Sequence, residues 1–209
     1  GIAPRGICGS GLIDLLAELL RACVIDRTGG INLEIDHPRI RKGRYAPEFV
    51  VVWKEETPIG KDIVITENDI KNLIMSKAAI HGACMTLLDA AGLTPRDIEK
   101  ICLTGAFGNY INNAITIGLI PDVPLERVEN IGNGAITGAN IALVNRKRRK
   151  ELDGLARKIT YIELNADPSF MDRYTSSCFL PHTDLSLFPR VQQMLEACRL
   201  GQGVNSRQG

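Results

Sequence analysis

No two of the six cysteines (positions 8, 23, 84, 102, 178 and 198) are separated by only two residues. Zinc ribbons and iron–sulfur loops need that spacing to close a small ring around the metal, so the chain shows no metal-binding motif. Cys23, Cys84 and Cys102 lie in apolar stretches, where a thiol behaves as a small hydrophobe. All six are therefore expected to be reduced and structural, which points to the cytoplasm. Long apolar runs are missing too. The longest, such as 49–53, are far too short to span a bilayer, and residues 1–11 do not have the order of a secretory signal. Charge of one sign is absent: 25 Lys and Arg face 24 Asp and Glu, a net +1 that gives no field for nucleic acid or a membrane surface. There is no GxSxG elbow, no GxxxxGKS/T phosphate loop and no GxGxxG in a strand context. His37, His81 and His182 are widely spread, and no catalytic residue is assigned to them or to any other position.

What remains is an ordinary globular composition, 44% apolar and 23% charged over 209 residues, enough for one well-buried core. The chain starts in a glycine-rich motif without an initiating Met, and is expected to be a piece of something longer. Ser10, among Gly6, Gly9 and Gly11, is placed to cap a helix carrying Leu12, Leu15, Leu16, Leu19, Leu20 and Cys23. Residues 32–47 have no clear period and read as a loop, whereas 49–53 and 61–65 read as an antiparallel pair of strands. Thr66 and Asp69 form a capping box for a long helix that stops at Gly92, and Thr94-Pro95-Arg96-Asp97 starts a short turn. Residues 100–104 predict a buried strand, 113–118 a short helix, 128–131 a strand, 135–149 a long helix and 160–164 a further strand. Two closing helices are expected over 168–178 and 189–200, with 201–209 as a flexible tail beyond a single unit, 1–200. Alternating strands and helices make an α/β chain with some parallel pairing.

Candidate chemistry sits at two strand–glycine–helix junctions, Leu103 to Asn109 and Ile131 to Gly138. Glycine lets backbone amides approach a ligand, a helix N-terminus favours an anion, and α/β ligands lie at the carboxyl ends of strands. Glycines that merely end strands and allow close helix packing are the plainer reading of either cluster alone; two clusters after consecutive strands move the balance towards a nucleotide or other phosphate ligand. Gly9, Ser10 and Gly11 form a third, ambiguous junction, with Asp14 one turn into its helix. Lys77 is a cation on a helix that must pack beside the first glycine strand, and it either serves that site or snorkels to water. The basic run Arg146 to Lys150 reads as a solvated helix C-terminus, where cations suit the macrodipole.

Together, Gly6-Ile7-Cys8-Gly9-Ser10-Gly11-Leu12-Ile13-Asp14, Leu103-Thr104-Gly105-Ala106-Phe107-Gly108-Asn109 and Ile117-Gly118-Leu119-Ile120-Pro121 resemble the ATP-dependent reductive activators of corrinoid proteins. These belong to the acetate kinase, sugar kinase, heat-shock chaperone and actin superfamily. Gly132-Asn133-Gly134-Ala135 through Gly138-Ala139, Tyr161 to Leu164 and Phe179-Leu180-Pro181 extend the resemblance over nearly the whole chain. It implies a ribonuclease H-like, actin-like ATPase fold with a mixed sheet and flanking helices, incomplete as it stands. By resemblance, Gly105, Ala106, Phe107, Gly108 and Asn109 pass beside the adenosine, and Gly132, Asn133 and Gly134 open a helix at an interdomain hinge. The helix of Lys77 is similar to one that contacts adenosine in related ATPases.

The activity implied is one-electron reduction of an inactive Co(II) corrinoid protein to methyl-accepting Co(I), driven by ATP with Mg and supplied by an iron–sulfur cluster. The phosphate loops and the cluster cysteines are not in this sequence and are expected ahead of Gly1, so this piece alone is expected to be inactive. The partners implied are a corrinoid protein and a nucleotide, with a homodimer left open and neither nucleic acid nor a membrane expected. An activator of an acyl-CoA dehydratase-type enzyme, a kinase-like relative and a non-catalytic protein-binding module are the alternatives.

Overall fold

The computed structural model describes residues 3–105 and 111–205, the side chains of 111, 112 and 198–205 excepted. Helix α1 (Gly9–Arg21) buries Leu16, Ala17, Leu19 and Leu20 on one face. Its N-cap is Cys8 rather than Ser10, which lies inside the first turn with its hydroxyl 3.2 Å from the Cys8 sulfur. The stretch 32–47, expected to be a loop, contributes β1 (Ile40–Lys42), which pairs antiparallel with β2 (Pro47–Val52). A period in three residues is invisible, and tertiary ion pairs hold the strand: Arg41 meets Glu48 at 2.8 Å and Asp62 at 2.9 Å. The expected antiparallel pair is present as β2 with β3 (Ile63–Thr66), Phe49 opposite Ile65.

The Thr66–Asp69 capping box is formed, and α2 (Glu67–Ala90) ends at Gly92, whose φ is +68°. The turn capped by Thr94 follows, then β4 (Ile101–Leu103), α3 (Ile111–Thr116) and β5 (Val128–Asn130). β4 and β5 run parallel, Leu103 opposite Asn130. β4 is only half-buried, not the buried strand expected, and Cys102 on it is exposed. Cys8, Cys84 and Cys178 are also free, whereas Cys23 is disulfide-bonded, contrary to the expectation of six reduced thiols.

The helix expected over 135–149 is two: α4 (Gly134–Val144) and α5 (Arg146–Ala156), broken at Asn145. The Asn145 side chain accepts from the amides of Lys147 and Arg148, and Arg149 donates to the carbonyls of Ala142 and Leu143 at the end of α4. A good N-cap residue thus restarts the helix where continuation would stack the cations of 146–150 on an apolar segment. The basic run consequently opens a helix instead of ending one. Residues 160–164 form no strand, because they make no ladder with another described strand. α6 (Phe170–Ser176) packs on α2, where a side chain at Gly82 would meet Tyr174 and Phe170. α7 (Pro189–Asn205) continues past the predicted end of helix at 200. No described helix is long and apolar enough to cross a membrane.

The core gathers Leu16, Leu20, Ile65, Ile70, Ile115 and Leu180. Inside it, Lys77 is 2% exposed and does not snorkel. Its amine donates to the carbonyls of Phe179, at 2.6 Å, and Pro181. The same segment receives Arg27, whose backbone carbonyl accepts from Leu180 N and whose guanidinium donates to Leu180 O. Gly118, at φ +70°, lies so close that a Cβ there would be 2.2 Å from Pro181 O. Burial pushes the Lys77 amine down to about 7. A neutral amine still carries two N–H bonds, one for each carbonyl, so the tie survives deprotonation.

One turn along α2, His81 is buried with Nδ1 2.9 Å from Ser177 Oγ. Ser177 gives its only hydroxyl proton to Arg173 O, so His81 is the donor and carries its proton on Nδ1. Burial first, then the neighbouring Lys77 and His182, hold the His81 pKa down to about 3. His182, 5.5 Å away between ring centroids, is lowered by burial and by Lys77.

Two outcomes are expected. Gly118→Ala should lower unfolding stability by about 3 kcal/mol or more, while Gly60→Ala, at φ +62° with open space around it, should lose only about 1 kcal/mol. Urea midpoints compare them, and equal losses would remove the Pro181 contact as the cause. Because unfolded His81 binds a proton below pH about 6.5 and the folded form does not until about 3, its contribution is full above that window and is lost as pH falls through it. The midpoint of His81→Gln should therefore fall less steeply between pH 6 and about 4 than that of the unmodified protein.

Candidate functional site

β4 and β5 end side by side, and the two glycine turns that follow them are tied into one structure. Ile131 N donates to Leu103 O at 2.9 Å, and Gly105 N to Gly132 O at 2.8 Å. Thr104 Oγ1 sits between them, donating to Gly132 O and accepting from Gly134 N, each at 2.9 Å. Asn130 Oδ1 accepts from Gly132 N, and Asn133 Oδ1 caps α4 by accepting from Ile136 N. Gly105 (φ +95°) and Gly132 (φ +63°) adopt the left-handed backbone that glycine alone takes readily, and among the described residues neither has a heavy atom within 4 Å of where a Cβ would stand. Gly134 is different: a Cβ there would come within 3.0 Å of Thr104 Oγ1. The result is a hydrogen-bonded backbone platform at the carboxyl ends of a parallel pair and the N-terminus of α4.

Beside Thr104 opens a mostly apolar cavity of about 360 Å³ between α1, α2 and α3, with Leu12, Leu73, Ile80 and Leu119 in its walls. Gly9 and Lys77 also border it. The structure therefore brings Gly9, Lys77 and the two residues ahead of the first glycine turn, Leu103 and Thr104, around one space. It contributes the stem of Lys77 there, since the amine is committed to the carbonyls of Phe179 and Pro181. Ser10 turns to Cys8, and Gly11 packs against Ile7, its missing Cβ 3.1 Å from Ile7 Cγ2. The hydroxyl of Ser10 and the surrounding backbone amides lower the pKa of the Cys8 thiol. Asp14 is not a free ligand: its Oδ1 accepts from Asn113 Nδ2 at 2.6 Å, joining α1 to α3. Ala106, Phe107, Gly108 and Asn109 lie outside the described residues.

Thr104 lay inside the first junction of the sequence reading, but its part as the bridge between the turns was not read there, and Asn130, which fixes the second turn, was outside both junctions. Among the described residues, no three His, Cys, Asp or Glu side chains are grouped to hold a metal ion.

The family described as the C-terminal domain of RACo, the ASKHA domain, matches residues 1–192. The corrinoid activation enzyme RamQ of Eubacterium limosum is 39% identical over 184 residues, covering 82% of this chain and 30% of RamQ. The Co(II) methylated amine-specific corrinoid protein reductase of Methanosarcina barkeri is 25% identical over 162 residues, 77% of this chain and 26% of that protein. A solved structure described as a reductive activator for corrinoid, iron–sulfur protein superposes with a TM-score of 0.84 at 48% identity, covering 91% of this chain and 31% of its own. The chain thus spans about a third or less of the length of these relatives. The mixed α/β architecture and the match over residues 1–192 agree: the chain belongs to the family of the C-terminal ASKHA domain of RACo.

Proposed function

We propose that this chain is the ASKHA portion of an ATP-dependent activator that reduces Co(II) corrinoid proteins to Co(I) for methyl transfer, and that it supplies the adenosine side of the nucleotide site. The observation that carries the site is the Thr104 bridge, which locks two open glycine turns together beside an apolar cavity. Gly105 and Gly132 would present backbone to the ribose, and the walls from α1 and α2 would receive the base. The names of the relatives, a corrinoid activation enzyme and a Co(II) corrinoid protein reductase, support the reaction.

The phosphates, Mg and the iron–sulfur cluster belong to parts of the longer protein beyond the described residues. The cluster supplies a single electron; this chain contributes nucleotide binding and its mechanical coupling. α4 supports the coupling. It starts on the second glycine turn, and none of its side chains is buried: Leu143 is 72% and Val144 83% exposed, with Ile136 and Ile141 also out. An apolar helix left open in this way fits a hinge against another domain of the same protein.

Calorimetric titration of ATP and ADP into the full-length protein tests the site. Thr104→Val, which removes both bridging bonds, and Gly105→Val, which cannot relax into φ +95°, should each weaken binding by about tenfold. Unchanged affinity in both variants would overturn the assignment. The activity is read from the absorbance of a Co(II) corrinoid protein mixed with the reduced activator: conversion to Co(I) should require ATP, and conversion at the same rate without nucleotide would contradict the proposal.

A further inference from the structure

The neutral total of the chain hides a segregation of charge. Residues 146–158 carry seven Lys and Arg against two Asp and Glu, a net +5, so the other 196 residues total −4. All thirteen are exposed. The five consecutive cations, Arg146 to Lys150, form the first turns of α5, the end at which a helix macrodipole disfavours positive charge and where they repel one another. Folding accounts for little of this: Arg149 caps α4 and Arg148 pairs with Glu151, while Arg146, Lys147 and Lys150 form no ion pair among the described residues. Leu152, Leu155, Ile159 and Tyr161 are exposed alongside.

We infer that α5 and the residues following it, to Tyr161, are a docking surface for an acidic, partly apolar face of the corrinoid protein that the activator reduces, an inference that rests on the function proposed above. Basic residues around exposed aliphatic side chains match the composition of a protein interface, in which an apolar centre is ringed by charge. Nucleic acid fits less well, because the chain as a whole carries a net charge of only +1, and the residues outside this segment would repel a polyphosphate. A second copy of this chain fits less well again: its acids are scattered, with no run longer than Glu55-Glu56. The surface is separated from the glycine turns by the length of α4, about 16 Å at 1.5 Å per residue, so an occupant there leaves the nucleotide site open.

The test uses the full-length activator and its corrinoid protein. The triple variant Arg146→Glu, Lys147→Glu, Lys150→Glu keeps the Asn145 cap and puts acids where the macrodipole favours them, so it should fold. Its ATP hydrolysis without partner should match that of the unmodified protein. The corrinoid-protein concentration giving half-maximal Co(I) formation should rise by about tenfold or more, and its dependence on salt should flatten, while the rate at saturation stays the same. Lys147→Gln with Lys150→Gln should fall between. If the half-saturating concentration of the triple variant stays within about twofold of the unmodified value, the docking surface is wrong while the proposed function stands. If the unmodified protein forms no Co(I) with ATP, both fall. Loss of duplex DNA binding or of self-association in the triple variant, with half-saturation unmoved, would reassign the surface and overturn the inference.

Discussion

A lysine inside an apolar core is costly unless its hydrogen-bonding capacity is used, and the way Lys77 is satisfied organises much of this molecule. Its amine reaches across from α2 to the carbonyls of Phe179 and Pro181. That tie brings the C-terminal third of the chain against the long helix that also borders the candidate site. It places Pro181 against the side-chain-free face of Gly118, immediately after α3, and sets Leu180 in the core next to Arg27. Three sequence motifs far apart in the chain, around residues 77, 118 and 180, are thereby one packing unit. His81 adds a neutral, singly protonated ring to the same unit, held in one tautomer by Ser177. Burial thus lowers the basicity of Lys77, His81 and His182 alike, and removing any of these partners would leave a buried polar atom without company.

The site follows from this frame. α2 is held by its capping box at one end, α6 along its length and Lys77 in the middle, so its Leu73 and Ile80 form a fixed wall opposite Thr104. The glycine turns need no such support from the core. Thr104 Oγ1 acts as donor and acceptor at once, and one hydroxyl keeps two loops in register at the edge of a parallel ladder only three residues long.

Much of this was legible in the residues, for identifiable reasons. Strong local chemistry was read correctly: the Thr66–Asp69 box, the stop at Gly92, the Pro95 turn, and the strands ahead of the glycines. The resemblance supplied the fold, and the glycine turns were recognised from their place after consecutive strands. Features set by distant partners were not legible. β1 is made by its ladder to β2, with Arg41 paired to Glu48 and Asp62; Asn145 breaks a helix that its flanking residues would continue; residues 160–164 have β-forming side chains but join no described strand. The partners of Lys77 were hidden for the same reason, since two backbone carbonyls a hundred residues away leave no trace beside it in the sequence.

The bareness of α4 has a colloidal consequence. Ile136, Ile141, Leu143 and Val144 lie around the helix rather than on one face, so α4 as a whole is an adhesive strip, and such strips make like molecules cohere when nothing covers them. Here the strip is joined directly to a helix with five cations at its start. Two copies approaching through their bare helices would press like charge against like charge before their aliphatic side chains could meet. On charge alone, the basic segment disfavours a second copy of the chain relative to a neighbour of opposite charge.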